Sequence, residues 1–155
     1  MRVGSDLIDG IMLVMEQAFD PVYGEAWNRR QISDALAMPN THALVVDGNG
    51  RFGSQSQNGP AGFVLTRNAP GEEELLLIAV HPHHRGKGLA KLLIDQLFVA
   101  ASERGADRIF LEMRRGNPAV RLYEKAGFEP IGLRPNYYRT VNGERIDAIT
   151  FGKSI

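Results

Sequence analysis

Glu73-Glu74-Leu75-Leu76-Leu77-Ile78-Ala79-Val80-His81-Pro82-His83-His84-Arg85-Gly86-Lys87-Gly88-Leu89-Ala90 is the stretch on which the fold turns. Two acids lead into a continuous apolar run, the pattern of a strand covered on both faces. His81-Pro82 stops that strand, because proline cannot donate to a ladder. A basic, glycine-rich turn follows, and then a helix with Leu89, Leu92, Leu93, Leu97 and Ala100 on one side. Strand, turn and helix in this order make an anion cradle. Gly86 and Gly88 let the backbone approach a ligand closely, and the unpaired N–H groups of the first helical turn point at it. Arg85, Lys87 and Lys91 add positive charge at the same place. A dinucleotide fold needs G-x-G-x-x-G and a P-loop needs G-x-x-x-x-G-K-[ST]; neither is present. What stands is Arg85-x-x-Gly88-x-Ala90. The competing reading is a plain tight connection, and the placement between a buried strand and a long helix favours the cradle.

Working outward, Ser5 is placed to N-cap a helix carrying Leu7, Ile8, Ile11, Val14, Met15, Ala18 and Phe19 near a 3.6 period. Phe19-Asp20-Pro21 ends it, and Pro21 to Trp27 reads as an ordered loop. Asn28 and Gln31 have capping-box spacing, which predicts a second helix running to about Met38. Strands are expected over Ala43–Val46, Ala61–Arg67, Glu73–Val80, Arg108–Met113, Glu129–Leu133 and Arg145–Phe151. The polar stretch Arg51 to Pro60 reads as a mobile loop joining two of them. In the fourth strand Ile109, Leu111 and Met113 share one face while Phe110 and Glu112 share the other. Asn117-Pro118 opens a short helix and Gly127 closes it. Asn136-Tyr137-Tyr138 and an Asn142-Gly143 turn lie between the last two strands. No internal repeat or linker appears, so the expectation is one domain over 1–155, α/β (α+β), with a mixed central sheet.

The chain has 155 residues, the length of one domain, with 43% hydrophobic and 23% charged residues. Zero cysteines exclude a disulfide framework, a zinc knuckle and a covalent thioester on a protein thiol. No apolar run approaches the roughly 20 residues that cross a bilayer. The N-terminus carries Asp6 and Asp9, unlike a secretory signal, and a cytoplasmic location with no membrane partner is expected. A net charge of zero hides an asymmetry: residues 1–84 hold 5 Lys/Arg against 10 Asp/Glu, and residues 85–155 hold 13 against 8. That balance argues against direct nucleic-acid binding and suits a polyanionic small molecule on the second half or a cationic partner near the first; the competing reading is a chance spread of surface charge.

Val80 to Ala90 resembles the acetyl-CoA pyrophosphate loop of the GCN5-related N-acetyltransferase superfamily. Leu122-Tyr123-Glu124-Lys125-Ala126-Gly127-Phe128 resembles its second signature, in the right order and at a familiar distance. Leu111-Glu112-Met113-Arg114 and Asn136-Tyr137-Tyr138, with Trp27 in the early loop, are similar to the ribosomal-protein alanine N-acetyltransferases within it. The spacing from Asn117 to Tyr123 is one residue shorter than the family pattern, and Ala26 stands where proline is usual. The resemblance implies a sheet of about six to seven strands flanked by about four helices, and acetyl-CoA as co-substrate with no metal. It places acetyl-CoA on the backbone of Ile78, Ala79 and Val80, on Arg85, Gly86, Lys87, Gly88, Leu89, Ala90 and Lys91, and on Asn117. It also implies an acceptor peptide or protein N-terminus, such as that of a ribosomal protein, against Trp27, Tyr137 and Tyr138, with the acids Asp20 and Glu25 of the early loop attracting a basic segment of it.

Acetyl transfer from a thioester to an amine needs an unprotonated amine and a departing thiolate. The resemblance assigns Glu112 as proton acceptor; an ordinary carboxylate is a poor direct acceptor, so it would work through a water or with a raised pKa. The competing reading is an edge-facing Glu or a salt-bridge partner of Arg114. Tyr123, with a hydroxyl that titrates near about 10, is the matching acid for the sulfur; the competing reading is a helix tyrosine packed under the sheet. The competing reading of Tyr137 and Tyr138 is strand-end packing. His81, His83 and His84 sit in one proline-started turn without carboxylate partners, a weak metal pattern. There is no G-x-S-x-G, and Gly53 to Gln57 is a loop, against a serine hydrolase. With no thiol to carry the acetyl group, the expectation is direct transfer in a ternary complex. The alternatives are transfer to a small amine or lysine, and a non-catalytic acyl-CoA-binding module.

Overall fold

The structure, a computed structural model, describes residues 3–53 and 59–155. Its elements run α1 (Val3–Ala18), α2 (Arg29–Leu36), β1 (Thr41–Asp47), β2 (Pro60–Ala69), β3 (Glu72–Val80), α3 (Leu89–Glu103), β4 (Arg108–Arg114), α4 (Val120–Lys125), β5 (Glu129–Arg139) and β6 (Arg145–Ser154). The six strands form one mixed sheet in the order β1-β2-β3-β4-β6-β5, with four helices around it. β3 and β4 are parallel and every other neighbour is antiparallel. This is the expected α/β architecture. Two apolar clusters cover the sheet. One gathers Leu89, Leu93, Ile94 and Leu97 of α3 with Ile109, Leu111 and Met113 of β4. The other gathers Ile11, Val14 and Met15 of α1 with Ile32 of α2 and Phe63 and Leu65 of β2.

The feature that makes room for a site is the shortness of the parallel seam. β3 pairs with β4 only at Glu72↔Arg108, Glu73↔Ile109 and Glu74↔Phe110. Beyond it the strands part. The cause lies one strand away: opposite β2 the register runs Leu65↔Leu77 and then Thr66↔Leu75, so Leu76 is an extra residue on β3. Such a bulge bends the strand that carries it and increases its local twist. It also re-aims side chains, so that Leu75 joins the α3-side cluster while Leu76 and Leu77 join the α1-side cluster.

Several boundaries differ from the sequence reading. The first helix extends back to Val3, so Ser5 lies inside it and is not its cap. Asn28 and Gln31 do form the reciprocal capping box, at 2.8 Å each way. The buried stripe of α3 is Leu89, Leu93, Ile94, Leu97 and Ala101, leaving Leu92 exposed at the rim and Ala100 only partly covered. The short helix begins at Val120, not at Asn117; Asn117 caps the turn before it, accepting from the Ala119 N–H at 2.9 Å. The largest difference is β5, which continues to Arg139 and takes in Asn136-Tyr137-Tyr138. Pro135 interrupts the ladder, and the register moves from Arg134↔Ala148 to Tyr138↔Ile146 across it. Asn136 absorbs the irregularity at φ +54, a conformation asparagine tolerates better than most residues. Of the loop read over Arg51–Pro60, residues 54–58 lie outside the described part, while Phe52 bridges to Val46.

Candidate active site

The parted ends of β3 and β4 open into a groove of about 930 Å³. Its walls are Leu75–Val80, Leu111–Arg114 and the turn Gly116–Ala119, closed by the loop after α1 and by α4. Of the residues singled out in the sequence, Ile78, Ala79, Val80, Arg85, Ala90 and Glu112 line it. So do Asn117, Tyr123, Trp27 and Tyr138. Gly86, Lys87, Gly88, Leu89, Lys91 and Tyr137 are not among its walls.

The glycine turn is built as an approach surface. Gly86 and Gly88 have φ of +80° and +79°, and nothing lies within 4 Å of where a Cβ would stand on either. Gly88 is the N-cap of the 15-residue α3 and supplies no side-chain hydrogen bond, so the first-turn N–H groups are left for something else. This geometry fits a polyphosphate group, the chemistry expected of coenzyme A. The neighbouring cations are partly engaged. Arg85 donates to the carbonyls of Ala18 (3.0 Å) and Val80 (3.3 Å), tying the end of α1 to the end of β3. Lys91 pairs with Asp95 at 2.6 Å, and Lys87 Nζ lies 3.2 Å from His84 Nδ1. The side chain of Leu89 is buried in the core. Desolvation first, then His83, His84 and Arg85, hold His81 below the usual histidine range. Among the described residues no group of His, Asp and Glu is arranged to hold a metal ion.

Glu112 sits on β4 opposite Thr150 of β6. Its Oε2 accepts from Thr150 Oγ1 at 3.3 Å and lies 3.1 Å from Arg134 Nε. The cation beside it is therefore Arg134 of β5, not Arg114, which pairs elsewhere. Tyr123 is both things the sequence allowed: it packs edge-on against Phe128 in the core, 6% exposed, and it lines the groove. Burial pushes its hydroxyl above the usual tyrosine value, and the Glu25 carboxylate adds to the effect. Burial likewise raises Tyr138, to about 12, with Glu112, Tyr137 and Glu25 adding and Arg134 opposing. Tyr137 stands edge-on to Tyr138 at 5.2 Å, half exposed on the rim, with Arg134 over its ring.

The sequence reading missed that Tyr23 belongs to the groove and that Arg114 reaches across to the early loop. Asp20 caps the turn Pro21–Tyr23, and Gly24 at φ +61 brings the chain back so that Tyr23 and Glu25 line the groove. Arg114 stacks on Tyr23, 3.5 Å above the ring, and its Nε lies 3.4 Å from Glu25 Oε1. A smaller recess of about 530 Å³ lies beside β1, lined by Leu7, Leu36, His42 and Leu97 among others. His42 there is tied to Asn68 at 2.6 Å, and neither the glycine turn nor Glu112 reaches it.

A mixed sheet parted between its parallel strands, with a glycine turn capping a helix at the opening, defines a class of acyl-group transferases. The chain belongs to the acetyltransferase (GNAT) family, whose model matches residues 12–128. Over 88 residues it is 38% identical to the [ribosomal protein bS18]-alanine N-acetyltransferase of Haemophilus influenzae, covering 57% of this chain and 60% of that protein. The chain thus spans about 60% of the length of that relative. The crystal structure of the ribosomal-protein-S18-alanine N-acetyltransferase from Escherichia coli superposes with a TM-score of 0.78 over 100% of this chain and 90% of that one, at 24% identity. An aminoglycoside 6'-N-acetyltransferase complexed with coenzyme A shares the fold, with a TM-score of 0.71 over 97% of this chain and 89% of that one, at 18% identity.

Proposed function

We propose that this protein is an acetyl-CoA-dependent N-acetyltransferase that modifies the N-terminal α-amino group of a protein, of the ribosomal-protein alanine type, in the cytoplasm. The observation that carries the reading is the meeting of Glu112, Tyr123, Tyr138 and Trp27 in one groove, beside a glycine turn that suits a polyphosphate. The activities of the two ribosomal-protein alanine N-acetyltransferases this chain resembles support the same choice.

Acetyl-CoA, when bound, supplies the acetyl group as a thioester. The N–H groups at the start of α3 and of the turn Gly86–Gly88 hold its phosphates, with Arg85, Lys87 and Lys91 adding charge. The backbone of Ile78–Val80, free of β4, offers hydrogen bonds to its extended arm, and Asn117 borders the arm at the far wall. Glu112 takes the amine's proton through a water, and Arg134 and Thr150 fix the carboxylate while it does so. Tyr123 keeps its proton at working pH, because burial raises its hydroxyl, and it gives that proton to the departing sulfur. Trp27 and Tyr138 flank the acceptor, and Tyr137 meets residues further along it. No cysteine exists to carry the acetyl group, so transfer is direct.

The acceptor's own chemistry favours an α-amine. Freeing one that titrates near 8 costs about 1.4 kcal/mol at pH 7, against about 4.6 kcal/mol for a lysine near 10.4. The test is competition between two peptides, one with a free N-terminal alanine and a blocked lysine, the other reversed. Faster modification of the first is expected. Faster modification of the second would replace this reading with a lysine or small-amine acetyltransferase, and no turnover with any amine would favour a binding module.

A further inference from the structure

Glu25 lines the groove and has no part in the roles above. Two observations set it apart from Glu112. Glu112 Oε2 is occupied by Thr150 and Arg134, whereas no hydrogen bond among the described residues reaches the Glu25 carboxylate. Its companion Arg114 is almost wholly covered, with a side chain 10% exposed. Arg114 is fixed by its stack on Tyr23, yet its Nε is buried without a hydrogen-bond partner. At 3.4 Å from Glu25 Oε1 the pair is close enough for charge attraction and too poorly aligned for a hydrogen bond. A buried donor left in this way is costly, and a nearby carboxylate is retained where it offsets that cost. The charge of Glu25 is also felt by both groove tyrosines, Tyr123 and Tyr138, while that of Glu112 contributes only at Tyr138. Glu25, Tyr123 and Tyr138 all line the same groove.

An α-amino group enters as an ammonium, with three donors and no acceptor. It needs a carboxylate with an unoccupied oxygen, in a place where its loss of water is offset. Glu112 already accepts from Thr150 and lies against Arg134, whereas the Glu25 carboxylate accepts no hydrogen bond from any described residue. We propose that Glu25 is the anchor for the acceptor's α-ammonium group. Arg114 orients the carboxylate, and the ammonium is received between Tyr123 and Tyr138 before its proton passes towards Glu112. This rests on the N-terminal reading above and adds to it the residue that selects a free, charged amino terminus. An acetylated or otherwise blocked terminus offers Glu25 no donor of that strength.

The experiment uses Glu25→Gln, with Glu25→Asp as the conservative variant, and an alanine-starting peptide beside its des-amino form, in which propionyl replaces alanine. Kinetics are measured at saturating acetyl-CoA, and peptide binding by calorimetry with coenzyme A present. Glu25→Gln should raise the peptide KM about 10- to 100-fold, the loss of one charge-assisted hydrogen bond, with kcat within about threefold. Wild type should bind the amino peptide more tightly than the des-amino form, and Glu25→Gln should bind the two alike. Glu25→Asp should recover part of the affinity. An unchanged acetyl-CoA affinity in the variants reports an intact fold. A KM within twofold of wild type, or equal wild-type affinity for the two peptides, overturns the anchor while leaving the N-terminal reading in place. A fall in kcat at constant KM also overturns it. Wild-type turnover confined to lysine or small amines removes the N-terminal reading and the anchor together.

Discussion

Arg104, at the C-terminal end of α3, forks onto the carboxylate of Glu73 on β3, a side chain with 0% exposure that also accepts from Thr66 Oγ1 at 2.7 Å. Glu73 pairs with Ile109 in the three-residue seam where β3 and β4 still touch. The ion pair thus sits at the closed end of the opening whose far end carries the site.

Removing the cation should be far worse than an average surface change. Arg104→Met leaves a buried carboxylate with one hydroxyl for company and should cost about 3–5 kcal/mol. Glu73→Gln, which keeps an acceptor for Arg104, should cost less. Urea unfolding of both variants checks this, and a loss below about 1 kcal/mol for Arg104→Met would put the pair in the class of surface salt bridges.

Gly88 makes a prediction in which stability and binding separate. An added Cβ meets no atom of the protein, so Gly88→Ala pays chiefly for its φ of +79, about 1 kcal/mol. If the turn holds phosphates as proposed, the same Cβ would stand where they approach the backbone, and acetyl-CoA affinity should fall tenfold or more, and further in Gly88→Val. Calorimetry showing Gly88→Val binding as tightly as wild type would move the cradle elsewhere.

Glu112→Gln and Tyr123→Phe should each lower kcat by roughly 10²–10⁴ with the fold retained. The Glu112→Gln deficit should shrink at high pH, where the amine is already neutral. Because Tyr123 is raised, wild-type activity should climb through the acceptor's own titration near pH 8 and hold to about pH 10. A Glu112→Gln rate within twofold of wild type at pH 7 would end that assignment.

The two raised tyrosines also set an alkaline limit on stability. Each holds its proton more tightly folded than unfolded, so its contribution is complete below about pH 10, where an unfolded tyrosine titrates. For Tyr138 it is lost as pH rises from there through about 12. Urea midpoints should fall above pH 10, and less steeply in Tyr138→Phe. A midpoint flat to pH 11.5 in wild type would contradict the burial of both hydroxyls.

Much of this was legible in the chain itself, and the parts that were not share a cause. Periodicity and turn chemistry located every strand and helix because each depends on neighbours a few residues away, as in the Asn28–Gln31 box. The glycine turn after Val80 was readable for the same reason. The bulge at Leu76 was not, since Leu75-Leu76-Leu77 looks the same with one residue squeezed out as it does in perfect register. β5 was cut short at Leu133 because Pro135 reads as an ending, whereas the sheet steps around it at Asn136 and resumes at Tyr138. Glu25 was readable as an early-loop acid that attracts a basic segment of the acceptor, but not as the neighbour of Arg114. Its destination depends on a turn set by Asp20 and Gly24 and on Arg114, 89 positions away in the chain. Spatial neighbours of that kind leave no local trace.

The short seam between β3 and β4 has a mechanical meaning. Three pairs of residues join two three-stranded plates, β1-β2-β3 and β4-β6-β5, along one end only. Plates joined in this way have one soft motion, a change in the angle between them, and stiffness against that motion must come from whatever spans the gap. A long ligand bonded to both plates acts as the missing rungs. The empty protein and the loaded one should then differ less in shape than in rigidity, with slowed amide exchange along Leu77–Val80 as the visible sign.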